Sequence, residues 1–386
     1  MHDEPAQATT APVAAADAAF GADVYQLLAE NATDTVFSPV SVASALQMAL
    51  CGARGQTAAE LARALHLNGS QDAAAEGLRA LSALLRDVTA GGAVTFRAPN
   101  VLWVQSGLPL LPDFTARLRD ATAAAVAGAD FAHAPEAART EINRVIAEQT
   151  DGKITGLLPA RAVHAATRLI LTSAIYLKAA WAHRFPEAAT ADEPFYPDGP
   201  GRPGVTVPMM HGTEARAYLR GEGYQAVLLP YRGSRLAMAV VLPDGPLTVL
   251  RPKITAGGLR GLLAGMTRYQ VTLSLPRFRL ETAFDLVPAL QRLGVTQAFT
   301  GDADFSGITA AERLLISAVA HKAYVDVDEQ GTEAAAATAV TFRPTAAFQP
   351  PPPVTLVVDR PFLFAIVDGA TGLPLFLGQV SHPRSG

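Results

Sequence analysis

Residues 332–343 alternate between two kinds of side chain with a period of two, which is the pattern of a β-strand that buries one face. One face is small or apolar throughout, and it contains Thr332, Ala334, Ala336, Thr338, Val340 and Phe342. The other face carries both charges, and it contains Glu333, Ala335, Ala337, Ala339, Thr341 and Arg343. Loop residues follow, including the proline run 350–353. A segment that suits both an exposed loop and a half-buried strand indicates a conformational switch.

Helical periodicity dominates the N-terminal part of the chain. Apolar residues recur at helical spacing in residues 19–31, which predicts a helix packed on the body of the protein. Ser38 can cap a second helix that begins at Pro39 and ends at Gly52, and this helix is apolar nearly all round and therefore buried. Residues 1–18 are rich in Ala, Thr and Pro, and we expect a disordered tail there.

Strand patterns occupy much of the remaining chain and indicate the α+β class. Further helices are predicted at residues 57–67 and 73–88, and from residue 141 to an end at Asp151-Gly152. Residues 168–181 form a continuous apolar run, which predicts a buried central strand, and residues 94–105 are rich in β-branched residues. The middle of the chain has antiparallel strand patterns bounded by Gly and Pro. No linker separates independent patterns, so we expect residues 19–386 to form one domain.

Composition narrows the possible functions. The 386 residues are 49% hydrophobic and 17% charged, with a net charge of −4, and basic residues do not cluster into runs. We therefore expect no nucleic-acid or membrane partner. The single cysteine, Cys51, excludes an intramolecular disulfide. Arg heavily outnumbers Lys and Ala is abundant, which is typical of a high-GC bacterial genome.

Three segments resemble the serpins, a family of serine protease inhibitors whose exposed reactive-centre loop inserts into a β-sheet after cleavage. Residues 319–338 (VAHKAYVDVDEQGTEAAAAT) resemble the serpin hinge, and residues 359–380 resemble the strands that close the fold. Residues 271–308 contain similar landmarks, including LPRF and ADFSGI. The resemblance extends from about residue 19 to Pro383. It implies three β-sheets with eight or nine α-helices, and a reactive-centre loop at about residues 329–353.

The resemblance also implies roles for individual residues. The hinge would contain Glu329, Gly331, Thr332, Glu333, Ala334, Ala335, Ala336, Ala337 and Thr338. The "shutter" in the main sheet would contain Ser38, Ser41, Ser173 and His321, and Trp181 would lie at the "breach" where insertion begins. Without the resemblance, the two N-terminal serines are a helix cap and a first-turn residue, and His321 is a hydrogen-bonded core histidine.

Two expectations about these residues can be checked against a structure. Ser173 stands where the family usually has asparagine, so hydrogen bonding around His321 should be looser than usual. Thr332 is the first residue of the alternating set that would face inward, and its side chain should be among the first to pass beneath the sheet during insertion. Glu333 would lie on the outward face.

The function implied by the resemblance is suicide inhibition of a serine protease, and the chain would not be an enzyme. Family spacing from Glu329 gives a reactive bond between Thr345 and Ala346, whose small side chains suit elastase- or subtilisin-like proteases. Ala347 and Phe348 remain alternative cleavage positions. Hydrolase and metal-site signatures are absent from the sequence. A loose G-x-G-x-x-A match at residues 221–226 lies between two strand patterns and opens no helix, so a turn is far more common there than a dinucleotide site. We therefore expect no cofactor and no metal. The expected partner is a serine protease, held covalently by a monomer of this chain.

Several alternatives remain open at this stage. By composition alone, an Ala-rich segment flanked by prolines is more often a linker than a switch. A non-inhibitory serpin could act as a carrier, chaperone or binding protein, although such members usually have bulky, charged or proline residues in the hinge. The proline run 350–353 is either a spacer or a polyproline II ligand. The N-terminus has no signal peptide pattern, so we expect a cytoplasmic protein, or an extracellular one if it is processed or exported otherwise.

Overall fold

The computed structural model describes residues 4–30, 34–122, 125–253, 256–333 and 353–384. Within these ranges it contains nine α-helices and sixteen β-strands. The helices are α1 (Glu4–Ala29), α2 (Pro39–Gly52), α3 (Gly55–Ala64), α4 (Gln71–Thr89), α5 (Pro112–Ala121), α6 (Pro135–Gln149), α7 (Leu247–Leu250), α8 (Ala256–Gly265) and α9 (Val287–Arg292). The strands are β1 (Thr35–Phe37), β2 (Val94–Arg97), β3 (Asn100–Gln105), β4 (Ala125–Ala129), β5 (Leu169–Ala180), β6 (Ala191–Phe195), β7 (Val205–Gly221), β8 (Tyr224–Pro230), β9 (Leu236–Pro243), β10 (Thr267–Pro276), β11 (Phe278–Asp285), β12 (Ile316–Val327), β13 (Gly331–Thr332), β14 (Pro353–Val357), β15 (Phe362–Asp368) and β16 (Pro374–Val380).

A seven-stranded sheet contains the strand that the apolar run 168–181 predicts. Its order is β11-β12-β13-β5-β3-β4, with β2 also paired to β5. β5 is buried along most of its length, as the continuous apolar run predicts. β5 and β12 pair directly and in parallel, from Leu169 opposite Ile316 to Tyr176 opposite Tyr324. We call this pairing the seam, because the short strand β13 lies between the same two strands at one end of it.

The remaining nine described strands form one hydrogen-bonded network in the order β1-β16-β15-β9-β8-β7-β10-β14, with β6 paired to β7. β7 is 17 residues long, and its first half pairs with β6 while its second half pairs with β8. The resemblance implies three sheets. One of them is the separate seven-stranded sheet, and the other two are joined in this nine-stranded network. The two parts are continuous because β7 belongs to both of them.

Helix α2 lies in the core beneath the seven-stranded sheet. All 14 of its residues are buried, as its apolar circumference predicts. Ser38 caps the helix, since the Ser41 amide donates to Ser38 Oγ over 3.2 Å, and Pro39 is its first residue. The predicted cap and both predicted ends are confirmed.

Helix α1 corrects the expectation of a disordered tail over residues 1–18. The helix begins at Glu4 rather than near Ala19. Alanine has the highest helix propensity, and Ala14 and Asp17 are buried in the core. Packing of these two residues against the body stabilises the helix even though Pro12 lies inside it. No helix in the described ranges is both long enough and apolar enough to span a bilayer.

Asp17 on α1 is fully buried, and burial raises the pKa of its carboxyl to about 8. Gln47 Nε2 on α2 donates to Asp17 Oδ1 over 3.3 Å. In the unfolded chain the same carboxyl releases its proton near pH 4. Between these two values the folded state therefore holds one more proton than the unfolded state, so stability falls as pH rises, by about 1.4 kcal/mol per pH unit.

We predict that Asp17→Asn removes this pH dependence, because an amide stays neutral at every pH in this range. The mutant should gain stability relative to wild type as pH rises from 5 to 7, measured as the denaturant midpoint of the first unfolding transition. Asp113→Asn on α5, at an exposed position, is the control and should give a constant difference. An Asp17→Asn difference that is independent of pH would contradict the buried, protonated carboxyl.

Candidate functional site

Strand β13 is the only part of the predicted hinge with regular strand structure in the described chain. Gly331 and Thr332 pair with Ala180 and Ala179 of β5, and Thr332 pairs with Val327 of β12. Both pairings are antiparallel, whereas the seam beyond them is parallel. The hinge therefore starts as a third strand between β5 and β12, and the seam closes the space ahead of it.

The close approach of Gly331 to β5 requires glycine. Its φ is +154°, a value that L side chains rarely adopt, and a Cβ at this position would lie 2.1 Å from the carbonyl oxygen of Ala179. Because the obstructing atom is backbone, a side chain here would displace β13 from β5. Asp328 also fixes this turn, because its Oδ1 accepts hydrogen bonds from the amides of Gln330 and Gly331 over 2.7 and 3.1 Å.

Thr332 corrects one expectation about the switch. We expected its side chain to pass beneath the sheet during insertion, but it is already fully buried there. Its hydroxyl and the hydroxyl of Tyr231 are hydrogen-bonded at 2.6 Å. The inward parity is therefore correct for Thr332, but the side chain occupies the inner face before any cleavage.

Glu333 lies away from Tyr231 and close to Tyr176 and Tyr324. Its side chain is not simply exposed to solvent, because it makes contacts of its own. Its carboxylate forms an ion pair with Lys153, and one of its oxygens is buried without a partner in the described part of the chain. Its backbone has a positive φ of +45°, so the strand conformation ends at Thr332. The predicted hinge residues Ala334, Ala335, Ala336, Ala337 and Thr338, and the predicted reactive bond Thr345-Ala346, lie outside the described residues.

The predicted breach residue Trp181 contacts the base of the hinge directly. Its indole Nε1 donates to the carbonyl of Asp328 and its amide donates to the carbonyl of Gln330, both over 2.9 Å. The ring stacks on Tyr231 with centroids 4.7 Å apart and planes 11° apart. Trp181 therefore holds the chain immediately before β13, and Tyr231 connects this stack to Thr332.

Glu329 anchors the hinge through a buried ion pair. Arg277 donates to Glu329 Oε1 from Nε over 2.8 Å, and Arg277 Nη2 lies 2.6 Å from the same oxygen. The Thr190 hydroxyl donates to that oxygen as well. Burial opposes ionisation, but these hydrogen bonds lower the pKa of Glu329 below its usual value. The carboxylate is therefore charged at neutral pH and keeps the start of the hinge on the body of the protein.

The predicted shutter residue His321 links helix α2 to the middle of the seam. The Ser38 amide donates to His321 Nε2 over 3.0 Å, and His321 Nδ1 lies 3.0 Å from Ser173 Oγ. Complete burial lowers the pKa of His321 to about 3, so the ring is neutral. Because Nε2 accepts a hydrogen bond, Nδ1 carries the ring proton and donates it to Ser173 Oγ.

Ser41 takes part in this cluster only through Ser38. Its amide donates to Ser38 Oγ, and its own buried hydroxyl has no partner among the residues that the structure describes. Ser38 and Ser173 are therefore each hydrogen-bonded to His321. Ser41 contacts this cluster only through its bond to the Ser38 cap.

Asn100 on β3 is a polar neighbour that the sequence did not reveal. It is opposite Ser173 in the sheet register, and its Oδ1 is buried without a described partner. The signal in the sequence was an amide immediately before the apolar residues 101–104, and only the register with β5 connects it to the shutter.

This geometry does not provide catalytic chemistry. His321 is inaccessible to solvent, and both of its ring nitrogens are already hydrogen-bonded. No group of three or more His, Cys, Asp or Glu residues in the described ranges could hold a metal ion. The hinge, the seam and the polar residues around them instead define how β13 begins a third strand between β5 and β12.

We predict that Ser173→Asn stabilises the protein by about 1 kcal/mol. Asparagine offers an acceptor for the His321 Nδ1 proton and an NH₂ donor for the unpartnered Asn100 Oδ1. The thermal midpoint should rise, and Asn100→Ala should abolish most of the gain. Ser173→Ala, which removes the acceptor, should lower the midpoint. A Ser173→Asn midpoint equal to or below that of wild type would show that this site has no room for a second hydrogen bond.

Comparisons with known proteins agree with this architecture. A family model described as "Serpin (serine protease inhibitor)" matches residues 15–383. The chain is 39% identical over 381 residues to an uncharacterized serpin-like protein of Thermococcus kodakarensis, across 97% of this chain and 87% of that protein. It is 37% identical over 384 residues to the leukocyte elastase inhibitor of Bos taurus, across 96% and 99% of the two chains.

A solved structure shares the fold as well. Human thyroxine-binding globulin superposes with a TM-score of 0.85 at 28% identity, over 98% of this chain and 100% of that chain. The family match over nearly the whole chain, the related inhibitor and the common fold lead to the same assignment. The chain belongs to the serpin family of serine protease inhibitors, and it is not an enzyme.

Proposed function

We propose that this chain inhibits a serine protease by a suicide-substrate mechanism in which the cleaved loop inserts into the seam between β5 and β12. The observation that carries the proposal is β13, because the hinge already pairs with both strands at one end of the seam. Extension of β13 requires only that the direct pairing ahead of it separates. Serpin loop insertion is an established example of strand addition to a sheet.

The exchange of strands supplies the free energy for this step. Opening the seam breaks one parallel ladder that has eight register partners. An inserted strand would form two antiparallel ladders in its place, and parallel pairing is slightly the less stable per residue. At roughly 1 kcal/mol net per hydrogen bond, one additional ladder of about a dozen residues contributes on the order of 10 kcal/mol. This gain is available only after cleavage frees one end of the loop.

The chemistry of trapping follows from the timing of insertion. The protease serine attacks the carbonyl carbon of residue 345, the bond to the Ala346 nitrogen breaks, and the new amine takes a proton. The product is an ester between the protease and the new C-terminus of the loop. If insertion precedes attack by water on that ester, the protease stays covalently attached to a monomer of this chain. If water attacks first, the chain is only a substrate.

The proposed targets are elastase- or subtilisin-like proteases. Thr345, Ala346 and Ala347 are small, and small pockets accept them. The similarity to a leukocyte elastase inhibitor supports the same class. Arg343 is a poor trypsin site because Pro344 follows it.

A carrier function is the alternative, since thyroxine-binding globulin has the same fold and binds a small hormone according to its name. The hinge sequence favours inhibition instead. Residues 334–339 contain only Ala and Thr, without a bulky, charged or proline residue that would slow insertion. A carrier would give no covalent complex with any protease.

We predict cleavage between Thr345 and Ala346 by an elastase- or subtilisin-like protease, with a covalent complex that survives denaturing electrophoresis. Mass spectrometry of the released C-terminal peptide identifies the bond. Trypsin- and chymotrypsin-like proteases serve as controls and should form little complex. Cleavage solely after Arg343 or Phe348 would reject the assigned bond without rejecting inhibition.

We predict that Ala336→Arg converts the protein from an inhibitor into a substrate. Ala336 shares the inward parity with Thr332, so insertion would bury an unpaired charge at a cost of several kcal/mol. Thr332→Arg is the weaker test, because Thr332 is buried before cleavage and its replacement would disturb the intact protein. The ratio of covalent complex to cleaved product on a gel should fall at least tenfold.

Ala335→Arg is the matched control, one residue away on the outward parity, and it should retain most of the complex. Both variants should be cleaved at the same bond as wild type. Equal inhibition by wild type and Ala336→Arg would mean that the parity or the insertion mechanism is wrong.

A further inference from the structure

A cavity of about 240 Å³ lies behind Trp181, away from the hinge. Its walls come from the end of β5 and from β7, β8 and β10, and they include Trp181, His183, Arg216, Leu228 and Arg268. Three of these five side chains can carry a positive charge. No residue of the predicted hinge lines the cavity among those that the structure describes, and its role can be tested without a protease.

Arg216 is the unusual member of this wall. Its residue is 4% exposed, and its Nε and Nη2 atoms are buried without an acceptor in the described part of the chain. The guanidinium carbon lies 5.2 Å from the centroid of the Phe185 ring. Burial lowers the pKa of Arg216 to about 10, opposed by the charge of Glu214, so the side chain is still charged at neutral pH.

Glu214 does not neutralise this charge. It forms no ion pair with Arg216 within 4.0 Å, and it lies 4.0 Å from His183 instead, with 45% of its side chain exposed. An isolated buried charge costs several kcal/mol unless it finds a partner. A site that keeps such a residue beside a cavity therefore favours an anionic occupant.

The backbone around Arg216 leaves room for the guanidinium. A Cβ added to Gly212 would lie 3.4 Å from Arg216 Nη2 and 3.1 Å from Phe185 Cδ1. The contact with Phe185 would be tight, whereas that with Arg216 would be an ordinary one. The glycine thus leaves room for the Phe185 ring that packs against the Arg216 guanidinium.

The size of the cavity limits what can bind. Ligand pockets for drug-sized molecules usually exceed about 300 Å³, and one water molecule occupies about 30 Å³ of liquid. The cavity therefore fits a small oxyanion with a few waters, not a hormone-sized ligand. A guanidinium is well matched to such groups, since its planar donors can bind two oxygens of a phosphate, sulfate or carboxylate.

We propose that the cavity behind Trp181 is a binding site for a small oxyanion of the phosphate or sulfate type, held by Arg216 with Arg268 and His183 as further hydrogen-bond donors. The shared chemistry is a tetrahedral oxyanion, which is either free or the end group of a small ester. Trp181 forms part of the wall, so its fluorescence reports occupancy directly.

The test is a fluorescence titration with inorganic phosphate at pH 7, with sodium chloride adjusted to hold ionic strength constant. Sodium sulfate, sodium acetate and phenyl phosphate are titrated separately, and a preference for phenyl phosphate over inorganic phosphate would identify an ester as the source. Wild type should give a saturable change, which Trp181→Phe should remove even though Trp103 remains. Arg216→Gln should weaken binding at least tenfold.

Arg220→Gln is the matched control on the same strand, because Arg220 is exposed and paired with Asp244. Its phosphate affinity should equal that of wild type. If Arg216→Gln does not fold, Arg268→Glu is the substitute variant, because it reverses a charge at an exposed position of the wall. It should also weaken phosphate binding at least tenfold. The proposal is overturned if wild type shows no saturable response, or if the foldable variants bind phosphate as tightly as wild type.

Discussion

The direct parallel pairing of β5 with β12 is the interaction on which the other features of this protein depend. It satisfies the backbone groups of both strands in the intact molecule, and it occupies the space that a longer β13 would take. Parallel pairing is slightly less stable per residue than antiparallel pairing. The proposed insertion would therefore replace this ladder with two ladders that are each more stable per residue.

Polar side chains hold this arrangement at two points. In the middle of the seam, His321 connects Ser173 of β5 to the cap of α2, so separation of the strands must disturb a buried hydrogen-bonded cluster. At the hinge end, Trp181 and Glu329 fix the chain that leads into β13. Such buried polar groups are costly to leave unpaired. They make the seam difficult to open by thermal motion, and under the proposed mechanism an inserting strand would replace the pairing that is lost.

The sequence predicts the features that depend on neighbouring residues and misses those that depend on tertiary contacts. The Ser38 cap and the ends of α2 follow from local chemistry, and the parity of Thr332 follows from strand alternation. That Thr332 is buried before cleavage follows from the closeness of Tyr231, about a hundred positions away in the chain. The helix through Pro12 depends likewise on what packs around it, and so does the lack of an acceptor for Arg216 Nε and Nη2 among the described residues. Glu333 lies just past the end of β13, and its pairing with Lys153 cannot be predicted from strand alternation.

A removable cross-link over the seam tests the central claim most directly. Ile175 and Ala323 are register partners, so Ile175→Cys with Ala323→Cys can form a disulfide between β5 and β12. The native Cys51 should not interfere, since it is buried and burial raises the pKa of its thiol to about 12. The oxidised protein should be cleaved in its loop without forming a covalent protease complex, and reduction should restore the complex in the same sample. Equal complex formation by the oxidised and reduced forms would contradict opening of the seam.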